Sequence, residues 1–202
     1  VRLPGGVIQI GCDAPFSVCK FATGVIWLAV SEFGGNQIVM SAGGAPTRIS
    51  NHAIEAEISS YSTTTDAIAY AYQNNGHAFY VISFPSGNAT FVFDGTTQLW
   101  HQRSWTNSFG QHDRHRGQVH AYFGQRHLLG DHNNGRVYWL DDETYTDDGG
   151  IITRERTCPA TLTDAATRGA RAGGRRAPSC APRSARARGR ARSSSRSCRA
   201  PG

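Results

Sequence analysis

Two neighbouring segments in the middle of this chain have no polar side. Residues 76–104 read GHAFYVISFPSGNATFVFDGTTQLWHQRS. Within them, Phe79-Tyr80-Val81-Ile82 and Thr90-Phe91-Val92-Phe93 consist almost wholly of the aromatic and β-branched residues that favour strands. A sheet with one wet face alternates apolar and polar positions with period two, and these segments do not. The fold must therefore cover this sheet from both sides.

The surrounding text supplies the turns. Residues 66–73 run into Asn74-Asn75-Gly76 and return as Phe79 to Phe84. Asn and Gly tolerate the positive φ that tight hairpins demand. Pro85-Ser86-Gly87-Asn88 and Asp94-Gly95-Thr96-Thr97 make the next two reversals, and Trp100 to Arg103 ends the set. Four short strands joined in this way form a meander. The pattern recurs: LLGDHNNGRVYWLD (128–141) repeats VISFPSGNATFVFD (81–94) with a displacement of 47, and LAVSEFGGNQIVMS (28–41) is a weaker copy displaced by 53. Meanders with a period near 50 suggest propeller blades, whose sheets pack face to face and are dry on both sides. A β-sandwich is the alternative, and its outer faces would show a polar residue at every second position.

One segment breaks the β pattern. In residues 49–61, Ile54, Ile58 and Tyr61 fall at helical spacing, with Ser50 or Asn51 placed to cap the start and Glu55 and Glu57 near the positive end. The expected fold is all-β: meander repeats forming part of an incomplete β-propeller, with one short helix near 51–60 and a disordered C-terminal tail. The expected organisation is a poorly defined segment 1–23, a propeller-like domain 24–157 with about three blade-like repeats, and a tail 158–202. Propellers close with four or more blades, so three leave a dry face and an unpaired edge exposed. Poor solubility or partial disorder of the isolated chain is the expected consequence.

Charge separates the tail from the body. Through Thr157 there are 10 Lys and Arg against 14 Asp and Glu, whereas from Cys158 onward there are 11 Arg against Asp164 alone. The tail has no aromatic residue and cannot bury enough apolar surface to order itself. Its Arg, Ala, Gly, Pro and Ser are GC-rich codons, and no Lys appears among its basic residues. Out-of-frame translation of a GC-rich gene accounts for this; a basic arm binding nucleic acid through phosphates is the other reading. Five cysteines without a CxxC pair support neither a zinc ribbon nor a disulfide framework, and a reduced setting is expected. The chain begins with Val1, as a fragment or processed product would. Val25 to Val30 is far shorter than a membrane span, and no signal peptide pattern precedes it.

Chemistry-bearing residues are present but scattered. His112, His115 and His120 sit beside Arg114 and Arg116, whose charge opposes a metal ion. The acids of 141–150 lack the spacing of a calcium loop. Asp131 and His132 are adjacent at a strand end and are expected to point to opposite sides. Asp94 and Asp141 occupy equivalent repeat positions before turns, where Asp caps backbone; a glycosidase pair would use such acids otherwise. Trp100 beside Arg103 is read as core packing next to a solvated cation. No GxSxG or nucleophile–base pattern occurs. No catalytic, metal, cofactor or nucleic-acid-binding residue is assigned, and no cofactor is expected.

Five long stretches together carry a family resemblance: PTRISNHAIE (46–55), DAIAYAYQNNGHAFYVISFP (66–85), ATFVFDGTTQLWHQRS (89–104), HRGQVHAYFGQRHLLGDHNNGRVYWLDDETYTDDGGII (115–152) and RERTCP (154–159). In that order they resemble the packaged-DNA stabilisation proteins of short-tailed bacteriophages, over about residues 24 to 159. The resemblance implies a non-enzymatic, β-propeller-containing virion protein of the head-to-tail neck, assembled in the bacterial host cytoplasm. It implies a ring beneath the portal that helps to seal the channel and meets the portal adaptor ring and the tail needle proteins, with packaged DNA nearby. Neither a membrane nor a small-molecule substrate is implied. Members of the family run on past RERTCP with further strands. A carbohydrate-binding or glycan-cleaving propeller is the alternative function, and nucleic-acid binding through the Arg-rich tail is a weaker one.

Overall fold

The computed structural model describes residues 10–32 and 34–157. The chain divides into Val1–Glu155 and Arg156–Gly202, and everything below concerns the first unit. The tail and its expected disorder lie outside the described residues.

Three antiparallel sheets succeed one another along the chain. The first holds β1 (Gly11–Cys12), β2 (Cys19–Phe21), β3 (Gly24–Val30), β4 (Asn36–Ser41) and β5 (Thr47–Arg48). β1 and β2 pair with opposite ends of β3 and act as one interrupted outer strand. Ser17 fills the interruption: its hydroxyl accepts from the Leu28 N–H at 3.0 Å and donates to the Ala14 carbonyl at 2.7 Å. The sheet thus begins well before residue 24, where the sequence reading starts the domain. Strands of two and three residues carry no periodicity to reveal them.

Helix α1 (His52–Ser59) follows, with the Asn51 side chain accepting from the Ile54 N–H at 2.9 Å. Ile54 and Ile58 are its buried stripe, and the Tyr61 ring lies 5.4 Å from that of Phe84. Arg48 pairs with Glu55 and ties β5 to the first turn of α1.

The second sheet is the expected meander: β6 (Ile68–Asn74), β7 (His77–Phe84), β8 (Ala89–Asp94) and β9 (Leu99–Gln102). Asn75 and Gly76 have φ of 49° and 79° and form the two-residue turn between β6 and β7. A separate hairpin, β10 (Ser104–Thr106) and β11 (His112–Arg114), precedes the third sheet of β12 (Gly117–Phe123), β13 (Arg126–Asp131) and β14 (Val137–Leu140). Here Gly124 and Gln125, with φ of 57° and 61°, make the corresponding turn. A last hairpin joins β15 (Thr146–Asp147) to β16 (Gly150–Ile151). The three copies seen in the sequence are the hairpins β3–β4, β7–β8 and β13–β14.

The second sheet has two cores. Tyr80, Ile82, Phe84, Phe91 and Phe93 pack with Ile26, Leu28 and Ile38 of the first sheet and with Ile54 and Ile58 of α1. Val81 and Val92, together with Tyr70 and Tyr72, pack on the other side with Leu129 of the third sheet. Neighbours in sequence thus enter different cores, which is why β7 and β8 read as continuous apolar runs. Each fully buried large side chain contributes about 1.5–3 kcal/mol. Tyr80 Oη donates to the Ser17 carbonyl at 2.8 Å, and Ser83 and Thr90 bond each other at 2.9 Å, whereas the buried Tyr70 Oη has no hydrogen-bond partner.

Two-sided burial does not extend to the third sheet. Strand register places Val119, Ala121 and Phe123 on one face with Leu128, Val137 and Trp139. Val119, Phe123, Val137 and Trp139 are exposed there. The outer face of the first sheet is covered: Trp27, Ala29 and Val39 are buried beside Ile10. Among the described residues, none of these three sheets and two hairpins closes on itself.

Candidate functional site

The polar residues singled out in the sequence hold turns and join sheets. Asp94 accepts from the Thr96 N–H at 2.9 Å and the Thr97 hydroxyl at 2.8 Å. Asp141 does the same one repeat later, accepting from the Glu143 N–H at 3.3 Å and the Thr144 hydroxyl at 2.6 Å. Burial alone would raise the Asp94 carboxyl, but bonds from Thr97, Thr96 and His77 outweigh it and bring it down to about 2. Both carboxylates are turned back on their own chain.

Asp131 and His132 do not converge on one point: Asp131 meets the Arg116 guanidinium and His132 the Arg116 backbone carbonyl. β13 ends at Asp131, so strand alternation does not govern His132. Both residues grip Arg116. The Arg116 guanidinium lies 2.8 Å from Asp131, off the N–H axis, as an electrostatic contact rather than an aligned hydrogen bond. The His132 ring and backbone N–H reach the Arg116 carbonyl at 3.0 and 3.2 Å. Arg116 also pairs with Asp148 at 2.8 Å and lies 4.7 Å over the Trp105 ring, while Asp148 meets Arg136 at 3.0 Å. This charged latch connects β11–β12, β13 and the β15–β16 turn. Its members come from four separate stretches, so no local spacing announced it.

Arg103 is not solvated as the sequence reading has it. Its guanidinium donates to the Tyr72 hydroxyl at 2.8 Å and lies 5.8 Å from the rings of Tyr72 and Phe79. Trp100 packs against the Phe93 ring at 5.1 Å and donates to the Ile49 carbonyl at 2.9 Å. Neither offers a free stacking platform.

The three histidines of 112–120 are dispersed. His112 is exposed on β11, and His115 is half-buried, its imidazole driven down to about 4 by burial and by Arg103. His120 turns instead toward His127, which sequence reasoning missed. Their Nε2 and Nδ1 lie 2.9 Å apart, so one ring donates to the other, and the Tyr70 and Tyr72 rings lie 5.8 and 5.6 Å from His120. Burial, and then His127, lowers the His120 imidazole below its ordinary range. The pair cements β6 to β12 and forms the floor of a cleft of about 1000 Å³. At its rim Asp142 accepts from Asn74 and Asn75 at 2.9 and 2.6 Å. Among the described residues, no three His, Cys, Asp or Glu converge as metal ligands. No helix among them is long and apolar enough to cross a membrane.

The geometry is thus that of stacked antiparallel sheets whose charged groups act as struts. Residues 1–145 match the model of a phage stabilisation family described as bacteriophage P22 Gp10, β-propeller. The chain belongs to that family. No curated protein matches it. The match starts earlier than the resemblance read from the sequence and stops before RERTCP. Membership makes the chain a phage tail or neck protein that stabilises packaged DNA. The family is structural and is not a known enzyme family, and its role implies contact with other virion proteins.

Proposed function

We propose that the chain assembles as a ring in the neck of a short-tailed phage, beneath the portal, where it closes the channel by packing rather than by chemistry. In this reading it meets the portal adaptor ring above and the tail needle proteins below. It is built into the particle in the host cytoplasm and lies near packaged DNA. The sheets from Gly11 onward act as a propeller-like unit of about three blades, and 158–202 is out-of-frame text, which reading the encoding DNA in every frame would test.

The observation that carries this reading is the family match over residues 1–145 on a stack of antiparallel sheets. The commitment of Asp94, Asp141, Asp131 and Arg116 to internal bonds agrees with a scaffold. The test is to mix the purified chain with a portal–adaptor assembly and examine the product by sedimentation and negative-stain microscopy. A ring added to the assembly is expected. A chain that stays monomeric and unbound overturns the proposal.

A further inference from the structure

Where β6 meets the third sheet, the packing is ring on ring. His120 lies 5.8 Å from the Tyr70 ring and 5.6 Å from that of Tyr72, and His127 lies 5.5 Å from Tyr72 and 4.9 Å from Tyr122. Within this layer the two imidazoles touch nitrogen to nitrogen at 2.9 Å. Their ring centres are 5.2 Å apart, as far as that contact allows, so the two nitrogens face each other along one line. This is the geometry of a single N–H···N hydrogen bond, with room for one proton between the rings. Ligands of a common metal ion would instead aim at a point to one side of that line.

Proton count therefore decides whether the contact survives. With both rings neutral, one donates and the other accepts; one added proton makes the bond charge-assisted and keeps it. With both rings charged, two N–H groups confront each other with no acceptor between them, and the charges repel. Tyr70 and Tyr72 face the pair from β6 and Tyr122 from β12, and the Arg103 guanidinium bonds the Tyr72 hydroxyl. Arg126 adds positive charge to the cleft, whereas Asp141, Asp142 and Glu143 line it as acids toward which a charged ring can turn. We propose that the His120–His127 pair is an acid-operated fastener, holding the third sheet on β6 while it carries at most one proton and releasing it when both rings are charged. Release uncovers Tyr70, Tyr72 and the Val92 side chain, which pack with Leu129 in this joint. Below the ordinary histidine range, near 6.5, the open joint carries two protons and the closed joint one. Each further pH unit then favours opening about tenfold.

The test is thiol labelling of the full-length chain carrying Val92→Cys, with the modified site located by mass spectrometry and the rate corrected by that of the same chain in urea. Val92 is fully buried in the joint, so its labelling follows the open fraction. Between about pH 6.5 and 5.5 the corrected rate should rise about tenfold. His120→Phe keeps a ring against Tyr70 and Tyr72 but cannot take a proton, and should flatten the rise. His127→Gln, which keeps a partner for His120 without its charge, should do the same. His115 is present in all of these proteins and cannot account for a difference between them. Val39→Cys, on the far face of the first sheet, should show no such rise. A flat rate at Val92→Cys, a rise undiminished in His120→Phe and His127→Gln, or an equal rise at Val39→Cys would each overturn the proposal.

Discussion

Replacing Val81 and Ile82 by alanine, one at a time, probes the two faces of the second sheet with adjacent residues. Val81 lies with Tyr70, Tyr72, Val92 and Leu129, whereas Ile82 lies among Leu28, Ile38, Phe84 and Phe91, and both are fully buried. At about 0.8 kcal/mol for each buried methylene, the transfer cost is about 1.6 kcal/mol for Val81→Ala and about 2.4 kcal/mol for Ile82→Ala. The unfilled cavity raises these to about 2 and about 3–4 kcal/mol. Urea unfolding of the full chain, followed by tryptophan fluorescence, is the assay. With a slope of about 2 kcal/mol per molar, the midpoints should fall by about 1 M and about 1.5–2 M with the slope unchanged. On a sheet wet on one side, one of the two changes would stay within about 0.5 kcal/mol. A full loss at one position with no shift at the other refutes the argument.

The charged latch gives a second test. Arg116→Met strands the enclosed Asp131 carboxylate and should cost about 3–5 kcal/mol, while adding Asp131→Leu should recover most of it; equal losses in the single and double variants would contradict the pairing. Gly24→Ala places a methyl 2.3 Å from the Ser41 carbonyl oxygen, so β3 or β4 must shift at about 1–3 kcal/mol, read as a lower melting temperature. His115 gives a pH dependence. Unfolded, the imidazole takes up a proton near pH 6.5; folded, burial and Arg103 hold it neutral to about 4. Stability should therefore fall as pH drops from about 6.5 toward 4 and gain no further slope from His115 below that. His101 and His120, also lowered, add to the same slope. His115→Gln should flatten that window, measured as urea midpoint against pH, and an unchanged profile would exclude His115 as a source.

Much of the fold is legible because burial on both faces removes the polar alternation of β7 and β8. The Asn75-Gly76 turn and the Asn51 cap are readable for local reasons, since each acts on residues within three positions of itself. What stays hidden is non-local. β1 and β2 are too short to carry a period, and His120 and His127 meet only because β12 and β13 pair antiparallel. Arg103 looks like a surface cation until Tyr72 on β6 and Phe79 on β7 are placed beneath it. The bare face of the third sheet reads like the covered faces of the second, because Val119, Val137 and Trp139 are as apolar as Val81 and Val92. Turn-capping by Asp94 and Asp141 follows from repeat position, whereas the Arg116 latch draws on segments up to 32 residues apart.

A cryo-electron microscopy map of tail-bearing particles tests the whole account at once. It should show this chain seated at the neck, with the β6–β9 layer enclosed between its two neighbouring layers. Particles that seal their genome without the chain, or a neck in which Tyr80 or Val81 faces open solvent, would contradict it.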